Sequence, residues 1–96
     1  MFAWDSKKAE QNRSKHGVSF EEAATAFLDS DGLDGDDIKH SSYEIRSFRV
    51  ARSALGRILT VIYTVRHSDD GKDEIRIISA RRASRDERTA YHGQKN

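Results

Sequence analysis

The apolar residues change their period near the middle of the chain, and no other feature restricts the fold as strongly. From Tyr43 onward they recur at every second position, so Ile45 to Ser53, Ile58 to Arg66 and Glu74 to Arg82 read as strands rich in β-branched side chains. Leu55-Gly56-Arg57 makes a tight link between the first two, and His67 to Asp73 a longer polar loop before the third. Connections this short favour an antiparallel meander, because parallel pairing needs a long crossover. Before Tyr43 the signals are helical. Asp5 is placed to cap a helix over Ser6 to His16, with Gly17 as its stop. Ser19-Phe20-Glu21-Glu22 forms a capping box for a second helix, whose Phe20, Ala23, Ala24, Phe27 and Leu28 share one apolar face and which ends near Ser30. Phe2-Ala3-Trp4 reads as an edge strand anchored by Trp4. Ser84-Arg85-Asp86-Glu87 is a second capping box opening a short helix through about His92. The expected architecture is α+β: a small antiparallel sheet, two N-terminal helices and a short C-terminal helix. With 96 residues there is no room for two cores, so residues 1–96 are expected to form a single domain.

Strand alternation adds detail. Ile58 and Ile62 share one face of the central strand, while Leu59, Val61, Tyr63 and Val65 share the other; in the last strand Ile75 and Ile77 oppose Ile78 and Ala80. Both sheet faces are therefore partly apolar. The two N-terminal helices suffice for one, and the C-terminal helix is too short for all of the other. The uncovered remainder is expected to be a concave site or a partner surface.

Charge is segregated along the chain. Residues 20–44 carry eight acidic side chains and one basic, whereas residues 45–96 carry twelve basic, ten of them arginine, against six acidic. Arginine's planar donor fork suits phosphate and carboxylate, so this skew points to an anionic partner over mere solvated faces. Cysteine is absent, which excludes disulfides, thiol catalysis and thiolate zinc sites. No apolar run is long enough to span a bilayer, and the N-terminus passes straight into charged residues, so no membrane association and a cytoplasmic address are expected. Asp29 to Asp37 resembles a calcium loop, but Leu33 occupies a ligand position in either register, so the stretch reads as an acidic turn before or within a short irregular strand. No histidine pair sits at metal-binding spacing on one helix, and neither metal nor cofactor is expected.

An ordered set of residues resembles a known family. Trp4-Asp5, Lys8, Asn12 and the string from Lys15-His16-Gly17-Val18 to Ala23 are followed by Phe27, Asp29, His40, Glu44, Arg46 and Gly56-Arg57. Tyr63-Thr64, Arg66, Ile75 to Arg81, Glu87-Arg88 and Tyr91 complete it. This pattern is similar to the BrnT toxins, the RNA-cleaving halves of type II toxin–antitoxin pairs, and extends over nearly the whole chain. It departs from the family at Ala51-Arg52-Ser53-Ala54, where a glycine is usual, and in the longer loop His67 to Asp73. The resemblance implies a RelE-like fold, ribonuclease activity that suppresses translation, and neutralisation by a BrnA-type antitoxin with a ribbon-helix-helix DNA-binding end. Two such antitoxins need to dimerise on operator DNA, which implies a heterotetramer with two toxins, DNA being reached only through the antitoxin.

RNA can be cleaved without metal when its own 2′-hydroxyl is the nucleophile. The protein must then help remove a proton, stabilise charge on the phosphorus oxygens and protonate the leaving 5′-oxygen. The resemblance places Arg66 and Arg81 in the active site. They end consecutive strands, so antiparallel pairing does not set them directly opposite. Glu44 and Arg46 lie two apart and share a strand face: Arg46 for phosphate, Glu44 for proton transfer or for orienting an arginine. His40 is the histidine candidate for acid–base work. His16 suits a capping role, and His67 and His92 read as surface residues. Arg76, Arg82, Arg85 and Tyr91 are candidate RNA contacts, with Tyr91 alternatively supporting Arg81; Tyr63 reads as core. The competing reading is a module without catalysis that holds RNA or acts as a co-repressor with its antitoxin, since phosphate affinity needs positive charge either way.

Overall fold

The computed structural model describes residues 1–38 and 45–94, and its helices begin where side chains can cap them. The first strand, β1 (Phe2–Ala3), leads to Asp5, whose Oδ1 accepts from the amides of Lys7 (2.8 Å) and Lys8 (3.1 Å) and starts α1 (Ser6–His16). Gly17 stops it in the left-handed region at φ 70°, donating its N–H to the Arg13 carbonyl. Ser19 Oγ caps α2 (Phe20–Thr25) through the Glu22 amide. This helix tightens into a 3-10 turn over Ala26–Leu28 and does not continue to Ser30. The physical reason is local competition for its carbonyls: Thr25 Oγ1 donates to the Glu22 carbonyl and Arg49 Nε takes that of Ala26. The last helix, α3 (Arg85–Gln94), opens on a reciprocal capping box in which Ser84 N donates to Glu87 Oε1 (2.7 Å) and Glu87 N to Ser84 Oγ (3.2 Å).

Four further strands, β2 (Leu33–Asp36), β3 (Ser47–Arg52), β4 (Ile58–Arg66) and β5 (Glu74–Arg82), complete a sheet in the order β1-β5-β4-β3-β2. The pairs β2·β3, β3·β4 and β4·β5 are antiparallel, as short links require. The sheet as a whole is mixed, which corrects the expectation of a purely antiparallel one. β1 pairs parallel with β5, Phe2 against Ile75 and Ala3 against Arg76, with the Ile75 amide donating to the Met1 carbonyl. The rule about crossovers holds; here the crossover contains every element between the first strand and the last.

A second correction concerns alternation. Ile62 pairs with Ser79 but Tyr63 pairs with Ile77, so Ile78 is an extra residue in β5. The bulge places Ile77 and Ala80 together on the helix-covered face, in a core with Val18, Phe20, Ala23, Leu59 and Val61, while Ile78 turns to the other side. Trp4 packs edge-on against Phe20 in this layer, and Tyr63 lies against Phe27. The opposite face holds a smaller cluster of Val50, Ala83 and Tyr91, with Leu33, Phe48 and Ile58 around it, covered by α3.

Candidate functional site

Because α3 covers only one end of its sheet face, a cleft of about 770 Å³ remains beside it. Its apolar floor comes from β2 to β5 through Leu33, Phe48, Val50, Ile62 and Ile78. Cross-strand partners share a face, so the pairs Phe48–Ile62, Val50–Thr60 and Thr60–Arg81 bring these side chains to the same side. Arg46 and Asp37 stand at the β2–β3 end, joined through the backbone by the Asp37 amide and the Arg46 carbonyl (2.7 Å); Arg81, Asp86 and Glu87 stand at the α3 end.

The Arg81 wall is held by a network of hydrogen bonds. Arg81 Nη1 and Nη2 donate to Glu87 Oε1 (2.7 Å) and Oε2 (3.0 Å). Glu87 Oε1 also accepts from Thr60 Oγ1 (2.9 Å) and from its own cap at Ser84 N. The Arg81 pairing, with the cap and Thr60 bonds, outweighs burial and holds the Glu87 carboxyl at about 2. The same hydrogen bond raises Arg81 further above its usual value. Glu87 is thus ionised near neutrality and has no proton to give; it is not the general acid.

The residues expected from sequence separate into groups. Arg46 and Arg81 both line the cleft, at opposite ends of it. Arg66 and Arg76 pair with Glu74 and Thr64, which puts both on the cleft side of the sheet but outside the cleft lining. Arg66 lies six positions along β4 from Thr60, the partner of Arg81, or roughly 20 Å at the strand rise. Arg82 pairs with Leu59 and so belongs to the helix-covered side, and Arg85 is exposed at the first turn of α3. Tyr91 is 1% exposed, its hydroxyl donating to Asp29 Oδ2 (2.7 Å), so its ring offers no surface to a substrate and supports α3 from below. His40 and Glu44 lie outside the described residues.

Glu87 and Thr60 are site residues that reading the sequence alone did not identify. The Ser84-x-x-Glu87 spacing revealed the cap, and only the tertiary fold reveals that the capping carboxylate also grips Arg81. Other arginines are committed within the fold: Arg57 binds the buried Glu22, which also accepts from Ser53 Oγ (2.7 Å), and Arg49 binds Asp34 and the carbonyls of Ala26 and Asp29. The cleft lining itself contains Asp34, Asp37, Asp86 and Glu87 against Arg46 and Arg81. An anion can therefore be welcomed only at the arginines, not across the whole surface.

Residues 4–87 match the family described as ribonuclease toxin, BrnT, of type II toxin–antitoxin systems. Among solved structures, that of the Brucella abortus ribonuclease toxin, BrnT, is similar at 22% identity and a TM-score of 0.63, the match covering 88% of this chain and 99% of that one. No curated protein matches.

Proposed function

From its place in the family of BrnT ribonuclease toxins of type II toxin–antitoxin systems, to which this chain belongs, we propose a metal-independent endoribonuclease that cleaves RNA and inhibits translation. The observation that carries this reading is the pairing of an apolar cleft with arginines at its two ends. Single-stranded RNA presents both an oxyanion and a flat apolar base, and the cleft answers both. In the reaction the 2′-hydroxyl attacks the adjacent phosphorus and the 5′-oxygen departs, leaving a 2′,3′-cyclic phosphate and a 5′-hydroxyl. Arg81 stabilises the charge that builds on the non-bridging oxygens, and Arg46, at the other end of the cleft, binds a neighbouring phosphate. Proton transfer is assigned to Glu44 or His40, the sequence candidates nearest in the chain to Arg46. Arg66, Arg76 and Arg85 bind flanking phosphates along the same strand of RNA.

The partner we propose is a BrnA-type ribbon-helix-helix antitoxin, two copies with two toxins, which alone contacts operator DNA. The protein acts in the cytoplasm; no helix among the described residues is long and apolar enough to cross a membrane. The second reading, a non-catalytic RNA-binding or co-repressor module, draws support from the carboxylates that outnumber arginines in the cleft. Purified protein incubated with RNA in EDTA, beside separate Arg81→Ala and Arg66→Ala variants, distinguishes the two. We expect cleavage that Arg81→Ala loses and that Arg66→Ala weakens less. Intact RNA with the wild type, both alone and with added ribosomes, would favour the co-repressor.

A further inference from the structure

A guanidinium has two edges that can grip an oxyanion, and in Arg81 the fold occupies one of them. Nη1 and Nη2 are turned to the Glu87 carboxylate, Nη1 also lies 3.4 Å from the Arg82 carbonyl, and no acceptor for Nε is found among the described residues. We propose that Glu87 is a positioning residue for RNA cleavage, holding Arg81 end-on so that its Nε edge meets the scissile phosphate. The proposal rests on the reading of Arg81 as a phosphate-binding group.

Three features support it. Arg81 is half-exposed, its side chain 42% accessible, so without an anchor it would be free to sample many rotamers. The anchor is itself fixed from two directions before Arg81 reaches it: by Ser84 N at the start of α3 and by Thr60 Oγ1 on the central strand. Thr60 is also the cross-strand partner of Arg81, so one carboxylate ties a paired residue of each strand to the helix. The alternative role for such a pair is to block Arg81 until a ligand displaces Glu87, and that role has the opposite kinetic sign.

The test is single-turnover cleavage of a single-stranded RNA by wild type, Glu87→Gln, Arg81→Ala and the double variant. Glutamine is accepted at this place in a capping box, so α3 keeps its start, and a thermal melt checks it. We expect Glu87→Gln to lower the maximal rate by up to about a hundredfold, the loss that misplacing a reacting group by about an ångström brings, with half-saturation within about twofold of wild type. The double variant should be no slower than Arg81→Ala. A Glu87→Gln rate equal to or above wild type, with Arg81→Ala crippled, overturns the positioning role and leaves the Arg81 reading intact. Full activity of Arg81→Ala overturns the Arg81 reading itself. A further loss on adding Glu87→Gln to Arg81→Ala shows that Glu87 acts through another group. Thr60→Val, which loosens the anchor without touching the helix cap, should lower the maximal rate in the same direction by less.

Discussion

Asn12 does for the last strand what a neighbouring strand would otherwise do. β1 covers only Ile75 and Arg76, and among the described residues no other strand pairs with the edge of β5 beyond them. Buried in α1, Asn12 donates Nδ2 to the Ala80 carbonyl (2.8 Å), accepts from the Ala80 amide on Oδ1 (3.1 Å), and donates also to the Val18 carbonyl (3.0 Å). A single carboxamide thus satisfies both backbone groups of a strand residue and ties down the turn after α1. Removing it strands buried polar groups, so Asn12→Ala should lower stability by about 3 kcal/mol in urea denaturation. Asn12→Asp should fare worse at neutral pH, because a carboxylate faces the two carbonyls with no proton to donate. An Asn12→Ala midpoint equal to wild type would show that water replaces the side chain. Neither helix propensity nor capping gives a reason for asparagine at this position; its partner is 68 residues away. The same holds for Glu87, legible in the sequence as a cap and illegible as a clamp.

The elements themselves were far more legible. Asp5, Gly17, Ser19 and Ser84 announce helix ends through interactions spanning a few residues, and β4 and β5 have the bounds that alternation assigns them. What alternation could not show is the extra residue Ile78, because a bulge is set by pairing with another strand. Its effect on the site is direct. Arg76 and Arg81 are five apart and would lie on opposite faces of a regular strand; the bulge puts both on the cleft side, opposite Thr64 and Thr60. Deleting Ile78 restores regular pairing without changing any face, so the variant should fold, with a cleft that has lost part of its apolar floor. Near-native circular dichroism alongside weakened RNA binding is the expected pair of results. The seating of α3 depends in turn on Tyr91. Tyr91→Phe forfeits the hydroxyl's hydrogen bond to the Asp29 carboxylate, which still accepts from the amides of Arg52 and Asp31, at about 1 kcal/mol. Tyr91→Ala empties a fully buried ring site and should cost about 3–5 kcal/mol. Cleavage should survive the first change and fall with the second, as Glu87 loses its place; equal activity in both would mean that α3 does not position the site.

At the scale of the molecule, the segregation of charge along the chain is partly an internal complementarity. Acidic residues of 20–44 meet arginines of 45–96 in Glu22 with Arg57 and Asp34 with Arg49, so some of the arginine skew that suggested an anionic ligand is spent on the fold itself. This pairing makes stability depend on acid. Glu22 is held below the ordinary carboxylate range chiefly by Arg57, and Glu87 at about 2 chiefly by Arg81. For Asp29, burial pulls upward, but hydrogen bonds from the Tyr91 hydroxyl and the Arg52 and Asp31 amides outweigh it. A carboxyl whose folded value is depressed binds protons more readily in the unfolded chain. Its contribution is therefore complete above the unfolded value, near 4.5 for glutamate, and is lost as pH falls through the folded value. Stability should be nearly level above about pH 5.5 and decline from about pH 5 toward pH 2. Glu87→Gln should be less stable than wild type at pH 7 but show a shallower acid slope, so the two should converge near pH 2, where the wild-type carboxyl is itself half protonated. Urea unfolding of both proteins at pH 7, 4 and 2.5 measures this. A constant gap between them across that range would mean that the Arg81–Glu87 pair is not held in solution, and the fixed guanidinium that the proposed cleavage requires would have to be sought in another residue.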